Sequence, residues 1–405
     1  MQKRFTPDAG GVFPEWEEVT LGDILEINPK TEEKIADEFY YADLASINNG
    51  VFTHGAAINH NEAPGRAQRV VHIDDVLFQS VNAENLGHYH YTKDKELDKQ
   101  FVASTGFFLL RMKNGCNAFL YQLLFTKAFN QEVHKYSAGS IYPAINITEF
   151  KKIKVRIPKS MEEQRKIAAA LAAYDEMIAV KTTKLETWQE CKKRMVKEIF
   201  GRTKRFRDDD GNEFPEWEEK TLGNVSTVKR GKGYTKKDLT DKGTPIILYG
   251  RLYTKYETKI ENVDTFADVQ KNSLVSIGGE VIIPTSGENS EDIARAATVE
   301  QQGVLIGGDL CVIMPNKDMF DSTFLAYAIT YSKSHKDLVK KANGEIIAHL
   351  RVEDIKNLSV SLPCTEEQQK IGSFLAEIDK EIEIQKEFIK TYADGKKRMM
   401  MELIE

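Results

Sequence analysis

Two long stretches of this chain place apolar residues at alternating steps of four and three. In the first, Ile167, Leu171, Tyr174, Ile178, Lys181, Leu185, Trp188, Lys192, Met195 and Ile199 form such a series. In the second, Ile371, Leu375, Ile378, Ile382, Gln385, Ile389, Tyr392, Lys396, Met399 and Leu403 repeat it position for position. That spacing is the a/d seam of a coiled coil and predicts two long helices. Even the polar interruptions coincide, Lys181 with Gln385 and Lys192 with Lys396. A polar residue in a seam costs stability while fixing register, so the two helices are expected to share one geometry.

Upstream of each helix the pattern changes to short apolar runs between Gly, Asn and Ser turns, over residues 17–158 and 218–363. Val76-Leu77-Phe78 and Val281-Ile282-Ile283 predict buried strands, each followed by a polar loop, Ser80 to Ala83 and Thr285 to Glu288. Ser104 to Leu110 and Ile306 to Val312 predict a second strand pair, and Phe119 to Phe125 and Phe324 to Thr330 a short helix. After loops containing Gly139 and Gly344, the alternations Ile153, Val155, Ile157 and Leu358, Val360, Leu362 predict closing strands, which Pro158 and Pro363 stop.

The edges of the two mixed regions are nearly identical. Phe13-Pro14-Glu15-Trp16-Glu17-Glu18 and Leu21-Gly22 return as Phe214-Pro215-Glu216-Trp217-Glu218-Glu219 and Leu222-Gly223, while Glu163-Gln164-x-Lys166-Ile167 returns as Glu367-Gln368-x-Lys370-Ile371. Two copies of one unit therefore fill the chain. Their middles have diverged; Tyr40 to Val51 and Gly243 to Tyr253 share little. One scaffold carrying two different recognition surfaces is implied. The segments read as a first recognition domain over 1–158, its helix over 159–201, a linker and second recognition domain over 202–363, and a second helix over 364–405.

Connectivity sets the expected direction of the helices. The first helix spans roughly 58 Å at about 1.5 Å per residue, and a domain of this size, roughly 40 Å across, is too small to return the chain to the helix start. The helices are expected to run antiparallel, with one domain at each end and an approximate two-fold between the repeats. Such a two-headed rod matches the symmetry of duplex DNA, each head reading one half-site. Because the heads differ, the target is expected to be bipartite and asymmetric.

Composition changes this picture little. At 405 residues and 41% apolar content the chain can build several cores. Its most apolar run, Gly303 to Pro315, is short and broken by Asp309, and Met1 to Phe5 leads into no apolar signal core, so a cytoplasmic protein is expected. Cys116, Cys191, Cys311 and Cys364 are too scattered for a disulfide framework or zinc site. The net charge of −6 argues weakly against nucleic acid, but Lys229, Arg230, Lys232, Lys236 and Lys237 cluster without an acidic neighbour.

The Glu-Gln-x-Lys-Ile helix start, its return after a second variable domain, the Trp-Glu-x-x-x-Leu-Gly opening and the Ile-Pro or Leu-Pro strand ends resemble the specificity subunit of type I restriction-modification systems, over essentially the whole chain. The resemblance implies that the variable domains recognise DNA targets. It implies that the helices set the spacer and dock two methyltransferase subunits, with restriction/translocase subunits joining through them. S-adenosylmethionine, ATP and Mg would belong to those partners, and this chain would bind no cofactor. Catalytic signatures are absent from the sequence: it has no Pro-Pro dipeptide for an adenine methyltransferase loop and no phosphate-binding Gly-x-x-x-x-Gly-Lys-Ser/Thr. Triplets such as Glu257-Thr258-Lys259 carry little nuclease information where 29% of residues are charged.

Candidate DNA contacts follow from residue chemistry. In the second domain the basic loop Lys229, Arg230, Lys232, Lys236 and Lys237, with Tyr234 to stack or wall a groove, suits phosphates; a solvated hairpin is the competing reading. Arg251 offers a fork for guanine O6 and N7, against a surface ion pair; Tyr253 follows it, and Ser286 in the loop after Val281-Ile282-Ile283 is a further candidate. The first domain is richer in amides. There Asn48, Asn49 and Asn82, beside Ser46 and Ser80, could pair with adenine, against plain turn chemistry for Asn49, and Arg66 and Arg69 could reach phosphates or bases. His88-Tyr89-His90-Tyr91 has the alternation of an exposed strand face, with no metal site expected. Ser140 and Tyr142 near Gly139, and Glu345 and His349 near Gly344, are further candidates. Trp16 and Trp217 are expected to pack each domain on its helix, and Trp188 and Tyr392 to pack within the seam. Lys184, Lys193, Arg194, Lys397 and Arg398 lie outside the seam and offer a docking face.

The fold class expected is α+β: two mixed target-recognition domains separated by a long antiparallel two-helix coiled coil. The chain reads as a non-catalytic DNA-recognition subunit. The alternative is a coiled-coil interaction scaffold binding protein or carbohydrate, which the overall acidity supports.

Overall fold

The computed structural model describes residues 3–48, 50–53, 55–137, 144–288, 290–342 and 348–405. Its two dominant elements are helices Met161–Phe200 and Thr365–Leu403. Their heptad positions are buried or half-buried along both, while most of the intervening positions are exposed. The chain forms two compact units, Met1–Lys181 with Phe388–Glu405, and Thr182–Glu387. Each long helix thus begins in one unit and ends in the other.

In the first unit, Glu17–Thr20 pairs antiparallel with Lys154–Ile157, bringing the opening and closing edges of the repeat together. A four-stranded antiparallel sheet runs Leu25–Ile27, Phe107–Met112, Val76–Gln79, Tyr89–His90. A second sheet runs Ile58–Asn59, Glu38–Ala42, Gln100–Ser104, Ala67–Val71, with one parallel pair between Glu38–Ala42 and Gln100–Ser104. Phe78, Leu110, Phe119, Phe129 and Phe150 form a core with Ile167 and Leu171 of the first helix and Met400 and Leu403 of the second. Trp16 packs edge-on against Phe119 within it, as its framework position predicts.

The second unit repeats the plan. Glu218–Thr221 pairs with Ser359–Leu362 in the equivalent register. A five-stranded sheet runs Val228–Arg230, Leu310–Ile313, Glu280–Pro284, Ala297–Val299, Lys259–Ile260, and helix Ser322–Tyr331 packs on it. Trp217 stacks edge-on against Phe324 and Phe200, and its Nε1 donates to Glu367 at 3.2 Å. Met195 and Ile199 share this core with Ile371, Leu375 and Ile378.

Helix direction can be read inside each unit. In the first, the Lys181 ammonium lies 4.3 Å from the Phe388 ring centre and Asp175 pairs with Lys396, while Ile167 and Leu171 meet Met400 and Leu403. Partners descend along one helix as they ascend along the other, so the pair is antiparallel. In the second, Lys192 pairs with Asp379 and Ile199 shares a core with Ile371, in the same sense. The fold class is the α+β arrangement with an antiparallel two-helix coiled coil that the sequence predicts.

The repeated Glu-Gln-x-Lys motif has a structural explanation. Arg4 forks onto the buried Glu163 carboxylate at 2.9 Å through both Nε and Nη2, and also donates to the Pro14 carbonyl at 2.6 Å. Arg205 does the same to Glu367 and the Pro215 carbonyl. Gln164 and Gln368 donate to the Pro158 and Pro363 carbonyls at 2.8 Å, sealing strand end to helix start. Lys166 holds Thr6 and Asp8; Lys370 holds Arg207 and Asp209. The motif clamps an arm across the first turn of each helix, and the acidic residues of that turn also suit its positive end.

Candidate nucleic-acid interface

The basic segment of the second unit begins on an edge strand. Lys229 and Arg230 belong to Val228–Arg230, the edge of the five-stranded sheet, and both side chains are exposed. The chain then turns at Gly231, where a Cβ would come within 1.8 Å of the Gly307 carbonyl oxygen, so only glycine permits this backbone approach. Lys236 and Lys237 lie on a short turn, Lys236–Asp238, capped by Thr235 and Asp238. Lys229, Lys232, Lys236 and Lys237 are exposed, and among the described residues none has an ion-pair partner. Four uncompensated cations on one edge and its loop are what a polyanion requires.

Three residues that the sequence grouped with this surface do other work. Tyr234 is only 6% exposed, packs with Ile246, Ala267 and Leu305, and shares its hydroxyl with Ser273 at 2.5 Å. It cannot stack on a base without leaving its core. Arg251 is buried in ion pairs at 2.7 Å to Glu257 and 2.6 Å to Asp264, and its fork also donates to the Asn262 carbonyl. No donor pair is left facing outward for guanine; the salt-bridge reading holds. Lys255 first and Arg251 second hold the Asp264 carboxyl down at about 2. Tyr253 donates its hydroxyl to the Ser286 carbonyl at 2.7 Å, and burial pushes its phenol up. It shapes the loop from within.

In the first unit, Asn48 is exposed on a tight hairpin, Ile47–Asn48 with Val51–Phe52, and Arg66 is exposed beside the turn that precedes Ala67–Val71. Asn82 is half-buried in a left-handed conformation, φ +50°, and its carbonyl accepts from Gln79 at 3.1 Å. Ser80 is 4% exposed and donates to the Gly106 carbonyl at 2.8 Å, so it is a strand-end fastener and not a contact. Arg69 is half-buried against Asn28 and the Thr105 carbonyl. His88, Tyr89, His90 and Tyr91 are all buried, which overturns the exposed-strand expectation. The His88 ring stacks on Phe78 at 4.7 Å, and burial drives its imidazole down to about 3. The alternation there is of two residue types, both taken into cores. Asn49, Ser140, Tyr142, Glu345 and the two loop glycines Gly139 and Gly344 lie outside the described residues.

One feature joins candidates that the sequence left separate. Ser286–Gly287 pairs with Ala348–His349, and beside this ribbon Arg230, Thr285, Ser286, His349 and Arg351 line a cavity of about 360 Å³. Arg230 and Arg351 are far apart in sequence and meet only in the fold. In the first unit a comparable concavity lies among Lys30, His72, Asp74, Asp75 and Arg111, but its arginine is already engaged: Arg111 forks onto Asp75, and His72 meets Glu33 at 2.8 Å.

The chain matches known proteins along both repeats. The family described as Type I restriction modification DNA specificity domain matches residues 14–187 and again 215–391. A protein of Methanocaldococcus jannaschii named putative type I restriction enzyme MjaX specificity subunit is 26% identical over 98% of this chain and 95% of its own length. The MjaVIII specificity subunit of the same organism is 24% identical over 95% and 91%. The crystal structure of the type I restriction-modification S subunit from M. genitalium superimposes with a TM-score of 0.64 at 14% identity, covering 96% of each chain.

Proposed function

We infer the function from family and surface together: the chain belongs to the type I restriction modification DNA specificity family, and its two domains recognise a DNA target. The observation that carries this is the double match, one copy of the family domain for each repeat, on two units whose exposed surfaces differ. DNA recognition is favoured over the protein- or carbohydrate-binding scaffold.

We propose that the target is split and asymmetric. The second domain grips phosphates through Lys229, Arg230, Lys232, Lys236 and Lys237. The first uses the exposed Asn48 and Arg66, and the half-buried Asn82. In this reading the coiled coil sets the spacer and offers Lys184, Lys193, Arg194, Lys397 and Arg398 to two methyltransferase subunits, through which restriction/translocase subunits join. The chain itself is non-catalytic and works in the cytoplasm. S-adenosylmethionine serves the methyltransferase subunit, and ATP and Mg the restriction subunit. Support comes from the uncompensated cations on the second unit and from the coiled-coil seam, whose burial leaves those basic side chains facing outward.

Duplex-DNA binding by the full chain tests the reading. Affinity should fall steeply with salt, with several phosphate contacts contributing to the slope. A flat salt response would return the scaffold reading.

A further inference from the structure

The cavity beside the Ser286–Gly287 ribbon has the donors of an anion site. Thr285 is 4% exposed, and among the described residues its hydroxyl has no hydrogen-bond partner. Both of its backbone groups are occupied, the N–H donating to Asp309 and the carbonyl accepting from Leu350. A buried hydroxyl left unpaired is costly, and a ligand that accepts from it recovers that cost. Two guanidinium groups line the same cavity. Arg230 is anchored through Nε to the Gly308 carbonyl at 3.1 Å and only loosely to Asp309 at 3.4 Å. Arg351 lies 3.6 Å from Asp354, and its side chain is 78% exposed. Each fork has five N–H donors, so both retain donors for an acceptor in the cavity. His349 meets Ser286 Oγ through Nδ1 at 3.1 Å, which leaves Nε2 for a ligand.

Shape decides what enters. Base edges are recessed in a groove and are read by protruding protein, whereas the phosphodiester backbone is the convex part of a duplex. A concave site lined by two arginines, a threonine hydroxyl and a serine–histidine pair therefore suits a phosphate. We propose that this cavity clamps one backbone phosphodiester of the DNA at the second domain, with Arg230 and Arg351 on its oxygens and Thr285 donating from the floor. The clamp fixes the register of the domain on its half-site without reading sequence. It rests on the DNA-recognition reading and adds Thr285 and Arg351, beside the candidate His349, to the surface.

The test uses the full-length chain on a duplex carrying its target. Arg230→Ala and Arg351→Ala should each weaken target and non-target binding by the same factor, and each should reduce the slope of log affinity against log salt by about one. Thr285→Val keeps the volume and should weaken binding in the same uniform way. Methylphosphonate linkages placed singly along the second half-site identify the phosphate: one position should weaken the wild-type chain and have no further effect on Arg351→Ala. If every neutral linkage weakens wild type and Arg351→Ala equally, no phosphate sits in the cavity. A changed base preference in one half-site would make these residues base readers and overturn the clamp. Wild-type protein that shows no salt-dependent duplex binding would instead remove the DNA reading itself.

Discussion

Lys192 Nζ lies 2.6 Å from Asp379 Oδ1, a pair formed inside the helical seam of the second unit. In the first unit Lys396 and Asp175 form the same pair, also at 2.6 Å. The numbers show one relationship twice: Lys192 and Lys396 are equivalent in the repeat, as are Asp175 and Asp379. The two lysine interruptions, Lys192 and Lys396, thus each have an acid on the opposite helix. Asp379 is held further by the Tyr327 hydroxyl at 2.6 Å, and Asp175 accepts from Gln122 at 2.9 Å.

Removing one member should cost more than removing both. Lys192→Met leaves Asp379 partly buried against Tyr327 without its cation. With both side chains partly exposed, roughly 1–3 kcal/mol of stability should be lost, below the range for fully buried pairs. Replacing Lys192 with Met and Asp379 with Leu together should recover most of it. Urea unfolding of the two single variants and the double variant measures this.

Acid should weaken the first unit through His88. Its folded imidazole titrates near 3 because burial disfavours the charge, against an ordinary 6.5. Between those values the unfolded state binds the extra proton. Stability is therefore full above pH 6.5 and falls as the pH drops toward 3, by about 2 kcal/mol down to pH 5. His88→Gln keeps an acceptor for the Gln79 N–H but removes the titration, and should flatten unfolding free energy measured across this range.

The arm clamp predicts a matched pair of defects. Arg4→Ala and Arg205→Ala each strand a carboxylate, Glu163 at 1% and Glu367 at 0% side-chain exposure. Each should cost about 3 kcal/mol or more. Thermal melts should show the two variants similarly destabilised; a neutral result for either would mean the clamp is incidental.

The sequence disclosed the scaffold more fully than the surface. Heptads, repeat edges and strand ends were legible because burial imposes periodicity, and Val76–Gln79, Glu280–Pro284 and both long helices lie where that periodicity predicts. Helices Lys127–Ser137 and Lys333–Lys341 went unread; their mostly polar sequences show only one narrow apolar face. For contacts, residue type misled wherever a partner was distant in sequence. Arg251 looked free because nothing in the chain announces its meeting with Asp264, and Tyr234 looked exposed because its basic neighbours are. Arg351 gave no signal because the residues that line its cavity with it, Arg230, Thr285 and Ser286, are distant in sequence.

Lengthening the coiled coil should change spacing and not sequence. One heptad inserted at matched positions in both helices adds about 10 Å of helix, or about three base pairs of duplex at roughly 3.4 Å each. Methylated sites should then show a longer gap between unchanged half-sites. Altered half-sites would contradict the spacer role. Exchanging residues 218–363 for those of a relative should, conversely, alter one half-site and leave the gap intact.

The central claim, that two unlike domains read one split target, is tested most directly by a methylation map. The chain is co-expressed with its cognate methyltransferase in a host lacking adenine methylation, and modified adenines are located by single-molecule sequencing. A bipartite, asymmetric motif modified on both strands, with a fixed gap, is the predicted result. A continuous or palindromic motif, or no methylation from a complex that assembles stably, would contradict it.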